Sequence, residues 1–88
     1  MAVVHIPAEL RSLTGGDLEP AVAGRTVGEL IDQLDNRYPG IKRRLVDGDR
    51  LRPGLSVFVD GSVRRDGLQT EVSPQSEVHF IPAIAGGL

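Results

Sequence analysis

Few side chains in this sequence could do chemistry, and their scarcity narrows the options before any fold is considered. The 88 residues contain no cysteine, which excludes a disulfide framework, a thiolate nucleophile and a zinc ribbon. His5 and His79 are the only imidazoles, and no cluster of His, Asp and Glu shows metal-ligand spacing. His79 has no nucleophile or carboxylate that the sequence alone places beside it, so it reads as an exposed strand residue. Gly15-Gly16 is followed by Asp17 and does not join a strand to a helix, so a phosphate-cradling loop is not indicated. What remains is IPAIAGGL, Ile81 to Leu88: an apolar run, a proline, then Gly86-Gly87 and a leucine. Glycine loses the most conformational freedom on ordering and offers nothing to bury. A glycine pair is therefore useful there only if the segment must stay thin and mobile. Fraying without function is the plain alternative.

Composition limits the setting of any such tail. With 40% hydrophobic and 25% charged residues the chain has the make-up of a soluble globular protein. Its length suits one domain, residues 1–81, followed by a flexible C-terminal tail, 82–88. No apolar run approaches the roughly 20 residues of a membrane span, and no basic segment leads into an apolar stretch at the N-terminus. The expectation is a cytoplasmic protein with no membrane contact. Tyr38, Phe58 and Phe80 are the only aromatic side chains and the net charge is −2, which leaves nucleic acid without stacking platforms or a basic groove. Lys42, Arg43 and Arg44, and again Arg64 and Arg65, form two basic clusters. Asp47, Asp49, Asp60 and Asp66 dilute them, so they read as solvated surface.

The elements that must carry the tail follow from period and punctuation. AVVHI, Ala2 to Ile6, is a β-branched run closed by Pro7, with Val4 and Ile6 on one face and Val3 and His5 on the other. Gly15-Gly16 marks a hairpin-like break, and LEPAV, Leu18 to Val22, predicts a short second strand kept to an edge by Pro20. Thr26 with Glu29 three residues on is a capping box, after which Val27, Leu30, Ile31 and Leu34 recur at helical spacing until Pro39-Gly40. This predicts an amphipathic helix over Val27 to Tyr38. A turn of helix at Ile41 to Leu45 and a polar loop from Asp47 to Gly54 follow. Val57, Phe58 and Val59 precede Asp60-Gly61, a strong signal for a tight hairpin turn. Gln69 to Val72 predicts a small fourth strand. In EVHFIP, Glu77, His79 and Ile81 alternate with Val78 and Phe80, as in a half-buried final strand. One helix on one face of a mixed four- to five-stranded sheet is the economical two-layer solution, an α+β architecture of the β-grasp, ubiquitin-like kind.

VVHIPAELRSLTGG, TVGELIDQLDNRYPGI, VFVDG and SEVHFIPAIAGG together resemble the ThiS/MoaD family of ubiquitin-like sulfur carriers. The resemblance spans nearly the whole chain and is closest to the branch serving cysteine biosynthesis, chiefly through the opening IP, LR and TGG. It implies that the chain is no enzyme and holds no cofactor. The Gly87 carboxylate would instead be adenylated, with ATP, by an E1-like activating and sulfur-loading enzyme. The adenylate would then become a thiocarboxylate that donates sulfur to a downstream synthase. A Cβ at Gly86 or Gly87 would collide with a narrow channel leading to the α-phosphorus of ATP. Ala85 belongs to the same tail, and the residues from Pro82 to Gly87 reach roughly 20 Å when extended. With no cysteine, sulfur cannot ride on a side chain and must ride on the terminus.

Leu88 departs from the family pattern, because only a free Gly87 carboxylate can be activated. The preferred expectation is a precursor from which a metalloprotease removes Leu88, and an appended expression residue is the other reading. Val3, Phe58 and Ile81, with His5 and His79 alongside, form the expected docking patch for the activating enzyme, against scattered surface residues as the plain reading. Two rivals stay open: a ubiquitin-like modifier joined through Gly87 to lysines, and a β-grasp interaction module with a silent tail. Which product receives the sulfur is a property of the partner.

Overall fold

The computed structural model describes residues 1–82. The first run of β-branched residues forms β1 (Ala2–His5), and the last alternating run forms β7 (Glu77–Pro82). The two pair in parallel, Val3 opposite Glu77 and His5 opposite His79. Between them in sequence come β2 (Ala21–Val22), antiparallel to β1, then β5 (Leu55–Val59), antiparallel to β7, and β6 (Ser62–Arg64), antiparallel to β5. The sheet order is β2-β1-β7-β5-β6. The last strand among the described residues thus lies in the middle of the sheet.

One helix, α1 (Val27–Arg37), packs on one face of this sheet. Thr26 caps it by accepting a hydrogen bond from the Glu29 amide at 3.2 Å. The Glu29 carboxylate reaches back to accept from the Arg25 amide at 2.9 Å, one residue before the cap. Val27, Leu30, Ile31 and Leu34 are fully buried against Val4, Val57, Val59, Val78 and Phe80 from the inner sheet face. Each such aliphatic side chain contributes roughly 1.5–3 kcal/mol by leaving water. At the other end the Asp35 carboxylate accepts from the amides of both Gly40 and Lys42, pinning the turn into α2 (Lys42–Leu45). The fold is the expected β-grasp: a five-stranded mixed sheet with the helix across it.

Four local expectations need correction. The segment before Gly15-Gly16 is a 3-10 helix (Ala8–Thr14) rather than the arm of a hairpin. Gly15 ends it in the left-handed region at φ 64°. The second strand starts at Ala21, not Leu18, because Pro20 has no N–H. Its carbonyl and that of Leu18 still accept from Val4 and Ile6. The expected polar loop after Asp47 contains a small hairpin, β3 (Val46–Asp47) and β4 (Arg50–Leu51), turning at Gly48. Gln69 to Val72 does not join the sheet. Gly67–Gln69 is a 3-10 turn, and the Thr70 carbonyl and Val72 amide bond to Val27 and Arg25 at the start of α1. That segment satisfies the helix N-terminus instead of a sheet edge.

Candidate functional site

Strand period places every second residue of β1, β7, β5 and β6 on the face away from α1. The register aligns His5, His79, Phe58 and Val63 in one transverse row across four adjacent strands. Val3 stands beside Glu77, and Ile81 beside Ser56, in the flanking rows. None of these side chains is buried, and Val63 and Ile81 are each 47% exposed. All four expected docking residues, Val3, Phe58, His79 and Ile81, therefore lie on one face. It is the face that the helix leaves uncovered.

The centre of that face is built from two imidazoles. The His5 and His79 rings stack with centroids 3.9 Å apart and planes 5° from parallel. His5 Nε2 lies 3.0 Å from Glu77 Oε1, an interaction that orients the His5 ring. Sequence reading set His5 alongside the patch but missed its carboxylate partner. The available signal was the alternation of Glu77 with His79, which puts both on one face of β7. The stack offers flat ring surface between Val3 and Phe58. It lacks a nucleophile, and among the described residues no group of three His, Asp or Glu side chains could hold a metal ion.

Ala85, Gly86 and Gly87, expected to present and carry the acyl group, and Leu88, expected to be removed, lie outside the described residues. The described residues reach Pro82. β7 ends at Pro82, paired with Leu55 and flanked by the end of β1. A cavity of about 340 Å³ opens there, between Pro7, Leu10, Arg44, Leu45, Arg52 and Pro82 among others. Sequence reading gave no hint of this cavity, because its walls come from four separate segments. Arg43, Arg44, Arg64 and Arg65 are exposed. Lys42 is engaged: its Nζ donates to Asp32 Oδ1 at 2.7 Å, and that hydrogen bond and the Asp32 charge hold its pKa above the ordinary value.

Known proteins share this fold. The model of the ThiS family matches residues 4–87. The sulfur carrier protein CysO of Mycobacterium tuberculosis is 37% identical over 89 residues, covering 96% of both chains. A chain of the crystal structure of the Amycolatopsis orientalis BexX/CysO complex superposes with a TM-score of 0.92 at 38% identity, over 99% of this chain and 100% of that one. Small archaeal modifier protein 3 of Haloferax volcanii is 31% identical over 64 residues, 70% of each chain.

Proposed function

The chain belongs to the ThiS family, and from that membership we propose that it is a sulfur carrier working through the carboxylate of Gly87. In this reading a Gly87 carboxylate oxygen attacks the α-phosphorus of ATP on an activating enzyme, and pyrophosphate leaves. Hydrosulfide then adds to the carbonyl carbon of the acyl adenylate, AMP leaves with the electron pair of the broken C–O bond, and loss of the sulfur-bound proton leaves a thiocarboxylate. The chain supplies the acyl group, and the ATP and the catalysis belong to the partner. Removal of Leu88 by a peptidase comes first, since a peptide carbonyl at Gly87 cannot attack ATP. A sulfur-accepting synthase consumes the product.

One observation carries the proposal: the strand that leads into IAGG is the central strand, and its outward residues form the uncovered face. A partner seated on His79, Ile81, Phe58 and Val3 would receive the following segment without disturbing the core, because Val78 and Phe80 point the other way. The strand that helps build the face is thus the one whose sequence continues toward the acyl terminus.

The test is the intact mass of the untagged protein recovered from its own host. A species ending at Gly87 with one oxygen replaced by sulfur is expected, enriched when sulfur acceptors are withheld. A population that retains Leu88 in full, even under sulfur starvation, defeats the proposal.

The likeness to a small archaeal modifier protein favours a second reading, in which the same activated carboxyl acylates amines. Conjugates of higher mass in extract, cleaved only by isopeptidases, would mark it. The sequence holds a single lysine, Lys42, so any chain of conjugates built on side chains of this protein would link through that residue.

A further inference from the structure

The cavity at the root of the tail has a chemical character that the docking face lacks. Its walls bring together the ends of three neighbouring strands: Pro7 follows β1, Leu55 opens β5 and Pro82 closes β7. Leu10 and Leu45 supply an apolar floor and are themselves part of the core, at 5% and 1% exposure. Arg44 and Arg52 stand at the rim, and Glu9 is the only carboxylate among the lining residues. Pro7, Pro53 and Pro82 stiffen the border through their fixed φ, so little ordering entropy would be lost when the cavity is filled.

The lining carries two arginines against one glutamate, and the segment that supplies both arginines is basic. Residues 42–52 hold Lys42, Arg43, Arg44, Arg50 and Arg52 against Asp47 and Asp49, a net +3. The whole chain is −2, so the other residues sum to −5. The Lys42 charge is matched by Asp32, and Asp47 stands opposite Arg50 in the backbone register of the hairpin. Arg52 is held in place by its amide donating to the Leu45 carbonyl at 3.0 Å and its Nη1 to the Arg43 carbonyl at 3.3 Å. Neither Arg44 nor Arg52 has a carboxylate partner among the described residues.

We propose that this cavity anchors an acidic segment of the adenylating partner, which sets a carboxylate on Arg44 and Arg52 and an apolar side chain on the Leu10 and Leu45 floor. The inference rests on the reading of Gly87 as the activated residue. A partner that grips the chain beyond Pro82 must close over this end of the sheet, and the surface it meets is guanidinium over leucine. Guanidinium forks suit a carboxylate bidentately. Because the site is half open, its main effect is on encounter and register rather than on the chemical step.

The experiment is steady-state activation of the chain ending at Gly87, read as ATP–pyrophosphate exchange with the purified adenylating enzyme. Arg44→Glu, Arg52→Glu and the double variant are compared with Arg25→Glu, an exposed charge reversal before α1, outside the cavity. For the double variant KM should rise about tenfold at low ionic strength with kcat unchanged, and most of that rise should vanish in high salt. Arg25→Glu should move KM less than twofold. An unchanged KM, or equal rises from Arg52→Glu and Arg25→Glu, overturns the proposal, the latter because net charge alone would then explain the effect. Failure of even the wild-type chain to be activated removes the underlying functional reading instead, and this inference with it. Titration of the free protein with inorganic phosphate is the companion measurement. Saturable shifts of the Arg44 and Arg52 Nε–H signals at sub-millimolar phosphate would mean a small-anion site and would also overturn it.

Discussion

Ile81 is 47% exposed, whereas His79, two residues earlier on the same face of β7, and Phe58, diagonal to it on β5, are half-buried. A protruding aliphatic side chain one residue before the end of β7 is well placed to act as an anchor, and anchors of this kind commonly cost more than 1 kcal/mol when lost. Ile81→Asp is expected to weaken docking by about 2 kcal/mol, roughly thirtyfold in the Kd for the activating enzyme by calorimetry. The melting temperature of the free protein should hardly move. A different residue-scale test concerns Lys42. Its raised pKa means that the contribution of its pair with Asp32 is fully present below the ordinary lysine value of 10.5 and is lost as pH rises through the folded value. Urea unfolding of wild type and Asp32→Asn should therefore differ by a constant amount across neutral pH and converge above pH 10.5. The pair is about half exposed on both sides, so the difference should also shrink in salt.

Among the elements, α1 was the most legible, and its cap is the place to test why. Thr26→Ala removes the acceptor for the Glu29 amide and should cost about 1 kcal/mol. For a domain of this size that is a fall of about 4–8 °C in Tm, measurable by circular dichroism. The capping box, the helical period and Pro39-Gly40 are all local signals, and local signals are what a sequence displays. The small hairpin of β3 and β4 was hidden for a related reason. Two-residue strands have no period, and only the turn at Gly48 between the two aspartates announced it. Gln69 to Val72 misled because β-branched Thr70 and Val72 suit a strand. In the folded chain their backbone is more useful bonding Val27 and Arg25 at the open end of α1.

At the scale of the whole molecule one core serves every function, since the sheet that presents the outer face shares its core with the helix behind it. Leu30→Ala empties a fully buried position on that helix and should cost about 2–5 kcal/mol. Against a total stability of about 5–15 kcal/mol for a small domain, this should bring unfolding to low urea concentrations and abolish docking through loss of fold. The residue types alone determined the fold class, the helix, the faces of the long strands and the bareness of the chain in reactive side chains. These depend on period, capping and composition, which are properties of neighbours along the chain. Only the tertiary structure decided that β7 lies between β1 and β5, that His5 stacks on His79 beside Glu77, and that Arg44 and Arg52 rim a cavity next to Pro82. Those facts depend on strand order and register, which are chosen by the packing of the whole core and have no signature in any single segment.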